Sequence, residues 1–270
     1  TYNKPYVRNL TNIDGGEDYK FGYDGNIEWH GNFFYNRHNP QKNSETYYTG
    51  YGVKVGVIDS GFNGNYYNDL YNEVKNITRI YSQRDPQDED HAYMVTSLIA
   101  GKEGIARDAN MYVIDGTHPY SSGSVKDTVD LYEALYSRGV RIFNQSFGTA
   151  VEFSDYNSTN YKQPLRPGVL RERESTTDVL DRRIDELNNF YKMAVSNGSL
   201  FVWAAGNTTA IEGGGRKTYN APTIQAGMPA YISELHKGWI AVVGIKPDGT
   251  EYNPHLARAG AAMWWSISAN

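Results

Sequence analysis

The sequence predicts an α/β fold: a mostly parallel β-sheet with helices on both faces. Three observations carry this. Short apolar runs of strand length, rich in Val and Ile, recur along the 270 residues. Between them lie segments whose apolar residues repeat at the spacing of one helical face. The two kinds alternate, which implies right-handed crossovers between parallel strands.

In chain order, residues 1–50 are rich in Asn, Tyr and Gly and show no sustained periodicity, so they read as an extended arm lying over the domain. The domain proper is expected over residues 51–270. Val53 to Ile58 (V-K-V-G-V-I) reads as a buried strand that runs into a turn at Asp59-Ser60-Gly61. His91 to Gly101 has helical length and closes on a glycine, the usual helix stop. Met111 to Asp115 is a further short strand. Val125, Val129, Tyr132 and Leu135 share one helical face, as do Leu180, Ile184, Leu187, Tyr191 and Ala194 in a longer segment. Strands are expected after each, at Val140–Gln145 and Leu200–Ala205, with another at Trp239–Ile245. The stretches Thr149–Ser175 and Thr208–Gln225 read as long loops, which in compact domains are usually functional or mobile.

Composition removes several classes of function. Hydrophobic residues make up 39% of the chain, enough for an ordered core. A net charge of −5 with no basic run argues against nucleic acid as a partner. With no cysteine, disulfides, thiolate metal sites and a cysteine nucleophile are excluded. No apolar run reaches membrane-spanning length. The start at Thr1 leads us to expect a processed product.

Four segments carry candidate chemistry. Asp59 ends a strand; alone it would cap a turn, but ligands of α/β sheets gather outside the carboxyl ends of strands. His91 opens the helix H-A-Y-M-V-T-S-L-I-A-G. Asn144 to Gly148 reads N-Q-S-F-G. Residues 201–207 read F-V-W-A-A-G-N. Each has an ordinary structural reading: surface histidine, strand end, turn asparagine.

Taken in order, these segments resemble the subtilisin-like serine proteases. That family reads D-S/T-G, then H-G-T-x-V-A-x-x-I-A-G, then G-V-A-P-x-A, which Gly104 to Ala109 (G-I-A-R-D-A) resembles. N-M-S-L-G and an oxyanion asparagine follow. Ala92 and Tyr93 depart from the family's Gly and Thr, so the packing there must differ. The resemblance implies an endopeptidase in which His91 is general base and Asp59 orients it. It implies that Asn207 donates to the developing oxyanion; losing such a donor costs about 10² to 10³ in turnover, a figure taken from a subtilisin itself. It also implies that Ser146, Phe147 and Gly148 pair with substrate main chain, while Ala204, Ala205 and Gly206 line the pocket for the residue before the cleaved bond. The order Asp, His, Ser is that of the subtilisins.

The family's serine motif, G-T-S-x-A-A-P, does not occur in these residues. Ser266 and Ser268 lack its flanking residues. The C-terminal, serine-bearing part of the fold is therefore expected to be missing and the chain inactive alone. A noncovalently held C-terminal fragment, a truncated chain or a natural pseudo-enzyme would each explain this; the last would be an inactive peptide-binding module. A-A-M-W at 261–264 resembles a segment of the autotransporter branch, though it reads equally as a small-residue turn beside a core aromatic. That branch implies an extracellular or cell-surface location. No cofactor is expected. The acidic run Asp85 to Asp90 lacks the ligand spacing of a calcium loop and reads as solvated, so no metal is expected either.

Overall fold

The computed structural model describes residues 49–59, 61–62, 66–82, 91–102, 104–115, 125–150, 177–210, 216–217, 219–244 and 256–269. The expected arm, the acidic run at 85–90 and most of the loop at 149–175 lie outside the described residues.

The elements run β1 (Lys54–Asp59), α1 (Tyr66–Glu73), β2 (Ile77–Ser82), α2 (His91–Ala100), β3 (Asn110–Asp115), α3 (Val125–Ser137) and β4 (Ile142–Gln145). There follow α4 (Thr177–Ser196), β5 (Leu200–Ala204), a two-residue hairpin β6 (Thr209–Ala210) and β7 (Arg216–Lys217), β8 (Trp239–Gly244) and β9 (Ser266–Ala269). Seven strands form one sheet in the order β2-β3-β1-β4-β5-β8-β9. Every pairing in it is parallel. The α/β expectation therefore holds. Five elements are not evident from the sequence: the two-residue strands β6 and β7, which fall in the expected loop Thr208–Gln225, and α1, β2 and β9, for which there is a physical reason. The helix Y-Y-N-D-L-Y-N-E is largely polar, and the strands I-T-R-I-Y-S and S-I-S-A sit at the two edges of the sheet, where little apolar signal is needed.

The sheet separates two cores. On one face Phe143, Phe201, Trp203 and Trp239 meet Tyr132 of α3 and Tyr191 of α4. Register explains their geometry. Phe143 lies opposite Phe201, so the rings stack at 4.6 Å between centroids. Trp203 lies opposite Ala241, and the small residue leaves room for Trp203 to stack on Trp239 at 5.4 Å. On the other face Val55, Val57, Met111 and Val113 are covered by Leu70 of α1 and by Ala92 and Ala100 of α2.

One surface pair ties the start of β2 to the turn before β3. Lys75 Nζ lies 2.8 Å from Asp108 Oδ1. Hydrogen bonding from Lys75, then from the Thr49 side chain, holds the Asp108 carboxyl below its ordinary range. A carboxylate whose pKa is lower in the folded state adds stability above its unfolded pKa, and that stability disappears as pH falls through the folded value. Lys75→Met is therefore expected to cost no more than about 1 kcal/mol near pH 7 and nothing near pH 2, read from denaturation midpoints at the two pH values.

Candidate active site

The sheet begins at β1, adds β3 and β2 on one side, and then places β4, β5, β8 and β9 on the other. The strand order thus reverses between β1 and β4. Such a switch point opens a crevice at the carboxyl ends of the strands, the usual ligand site of an open α/β sheet.

Asp59 is the last residue of β1 and only 4% of its side chain is exposed. It shares a sheet face with Val55 and Val57, and α2 lies across that face. Ala92, Thr96 and Ala100 recur every fourth residue and are buried, a row of small side chains that lets the helix approach closely. Ala92, one of the two departures from the family pattern, is fully enclosed in this contact. His91 is the first residue of α2, and its Nδ1 lies 2.8 Å from Asp59 Oδ1. The imidazole is 45% exposed, so a buried carboxylate anchors a ring that faces the crevice. With the carboxylate ionised and the imidazole neutral, Nδ1–H donates to Asp59 and the lone pair sits on Nε2.

At the end of β4, Asn144 pairs in register with Val57 of β1, and its Nδ2 donates to Ser146 Oγ at 3.2 Å. Phe147 is buried with its ring 5.7 Å from Trp203, so its side chain belongs to the core. Ser146 is half-buried and Gly148 is exposed.

Past the end of β5, the Ala205 N–H donates to the Val242 carbonyl at 2.8 Å. Gly206 has φ +114°, a conformation that favours glycine. Its carbonyl accepts from the Ala257 N–H at 2.8 Å, and Asn207 forms an antiparallel bridge with Leu256. The main chain of Asn207 is thereby fixed while its residue surface stays exposed. Asp59 and Asn207 stand at the ends of β1 and β5, with β4 between them. Among the described residues, no group of three or more His, Asp or Glu side chains could hold a metal ion.

Sequence reasoning misses two supporting segments. Ala221 to Gln225, within the expected loop, is buried and wedged behind the ends of β4 and β5. Leu256–Ala257 braces Gly206 and Asn207. Pro222 signals a turn, but nothing in Y-N-A-P-T-I-Q announces burial.

The comparisons with known proteins bear on residues 50–270, which match the model of the subtilase family of S8 peptidases. Two curated relatives are the Neisserial autotransporter lipoprotein NalP from two strains of Neisseria meningitidis serogroup B. They are 25% and 24% identical over 269 and 267 residues, and each match takes in 78% of this chain. The chain spans 24% of the length of these relatives. Among solved structures, the patellamide maturation protease PatA is 15% identical with a TM-score of 0.50, covering 81% of this chain and 65% of that one. At that identity the likeness is one of fold.

Proposed function

The chain belongs to the subtilase family, and on that footing we propose that it supplies the Asp–His half of a serine endopeptidase site. His91 takes the proton of a serine hydroxyl as general base and later returns it to the leaving amine. Asp59 holds the Nδ1–H tautomer and stabilises the imidazolium. The exposed amide of Asn207 donates to the oxyanion. Protein or peptide substrate lies along the end of β4 as an added strand. The serine comes from a segment outside these 270 residues. No cofactor takes part. The contact of 2.8 Å between Asp59 and His91 at the switch point is the observation that carries this reading.

The sheet supports the place of the serine-bearing segment. On the face shared with Asp59, Ile142, Val202, Ala204, Ile240 and Val242 are only half-buried, whereas Phe143, Phe201, Trp203, Trp239 and Ala241 on the other face are fully buried. Parallel strands are normally covered on both sides. Ile267 of β9, in register with Val242, lies on the same face and is 53% exposed. A helix of that segment laid there would bury apolar surface. Through its autotransporter relatives, and through A-A-M-W at 261–264, the chain is assigned to the cell surface or the extracellular space.

The test is a fluorophosphonate probe applied to the complete natural protein, followed by mapping of the labelled residue. Label on a serine beyond these residues, lost in His91→Ala, supports the proposal; no label, or label on a serine within them, sinks it. Asn207→Ala is expected to lower kcat by about 10²- to 10³-fold with little change in KM, because the donor acts on charge that develops only in the transition state.

A further inference from the structure

The crevice between the ends of β4 and β5 is where the side chain before the cleaved bond must go if the peptide lies as proposed. That space is already occupied. A Cβ built on Gly148 would lie 2.5 Å from Thr223 Cβ and 2.6 Å from its Cγ2 and Oγ1. One built on Gly206 would lie 2.9 Å from Thr223 Cγ2. Thr223 is thus wedged between the two glycines that close the strand ends, and it is 3% exposed.

Nor is it a side chain that can swing aside. Its N–H donates to the Ala205 carbonyl at 2.7 Å and its Oγ1 to the Ala204 carbonyl at 3.2 Å. The Ala226 N–H donates to the same Oγ1 at 3.3 Å. Two residues on, Gln225 Oε1 accepts from the Thr149 N–H at 2.8 Å, which ties this segment to the β4 side as well. A β-branched residue held at both its main chain and its hydroxyl has one rotamer to use.

We propose that Thr223 sets substrate specificity by filling the pocket, so that the enzyme accepts only small residues (Gly, Ala or Ser) before the cleaved bond. This rests on the protease reading above. Cγ2 is the side-chain atom that lies close to both glycines, and the hydroxyl is the tether.

The experiment uses the complete natural protein and a series of peptides identical except for Gly, Ala, Leu or Phe before the scissile bond. For the wild type, kcat/KM for Ala should exceed that for Leu or Phe by at least about tenfold, the discrimination available to a pocket of fixed volume. Thr223→Ser keeps the tether and removes Cγ2, so the Ala-to-Leu ratio should fall by about tenfold or more. Thr223→Val keeps the shape and loses the tether; it should retain the wild-type ratio while lowering thermal stability. A wild type that cleaves after Leu or Phe as well as after Ala, or a ratio unmoved in Thr223→Ser, overturns the inference while leaving the protease reading intact. No turnover of any peptide, together with no fluorophosphonate labelling, overturns that reading and this inference with it.

Discussion

His91→Ala in the complete protein is expected to lower kcat by about 10⁴- to 10⁶-fold while leaving peptide affinity within a few-fold of wild type. That range is the one a subtilisin itself shows on losing a member of its triad. The split between kcat and affinity follows from the geometry. His91 reaches Asp59 through Nδ1 at 2.8 Å, and its ring is 45% exposed at the crevice. On the proposed reading, the surfaces offered to a bound peptide lie instead on the ends of β4 and β5. Truncating the imidazole removes the proton acceptor and leaves those surfaces in place. Asp59→Asn should be less severe in kcat, because Nε2 survives while the tautomer preference is lost. Steady-state kinetics with one peptide, and its binding to His91→Ala by fluorescence anisotropy, supply both numbers. A peptide-binding module without catalysis would show no wild-type turnover to lose. That outcome separates the two functional classes.

Trp239→Ala should produce the largest loss of stability, about 3–5 kcal/mol. The side chain lies in the middle of the larger core, 2% exposed, between Phe201 at 5.0 Å and Trp203 at 5.4 Å between ring centroids. Tyr191 meets it edge-on at 5.1 Å. Alanine there opens a cavity walled by rings that cannot collapse onto it. Its Nε1–H also donates to the Gln225 carbonyl at 2.9 Å, so the substitution strands a buried acceptor. Urea unfolding should show a midpoint lower by roughly 1–2 M. Trp239→Phe, which keeps most of the ring and loses the donor, should cost about 1–3 kcal/mol. Because Gln225 also fixes Thr149, the alanine variant should loosen the wall at Gly148 and weaken peptide binding more than stability alone would predict. A shift of under about 0.5 M in the alanine variant would show that the core repacks around the loss.

The strands β1, β3, β4, β5 and β8 are legible in the sequence because buried parallel strands need continuous apolar runs, as K-V-G-V-I and W-I-A-V-V-G illustrate. The helices α3 and α4 are legible because each buries one stripe, through Tyr132 and Leu135 or through Ile184, Leu187 and Tyr191. Edge strands leave no such trace. Among the described residues Ser266–Ala269 pairs only with β8, and Ile267 is 53% exposed. The 3-10 segment Gly260–Trp265 that leads into β9 stands out in the sequence only as a motif, yet Trp265 Nε1–H donates to the Ala226 carbonyl at 2.8 Å and pins it to the site's supporting loop.

For the site, the sequence named Asp59, His91 and Asn207 because their segments, taken in order, resemble the motifs of the subtilisin-like proteases; none of the three stands out alone. Sequence also identified the absence of a serine motif in these residues. What it did not determine is distance. That Asp59 and His91 meet at 2.8 Å depends on how closely α2 lies against β1, which the buried row of Ala92, Thr96 and Ala100 decides. Thr223 was invisible for the same reason. Nothing about a threonine in a polar loop says that it will be wedged between two glycines brought together by β4 and β5. Local chemistry is written in residue types and their order; the shape of a pocket is set by which segments the fold presses against one another, and that belongs to the tertiary structure.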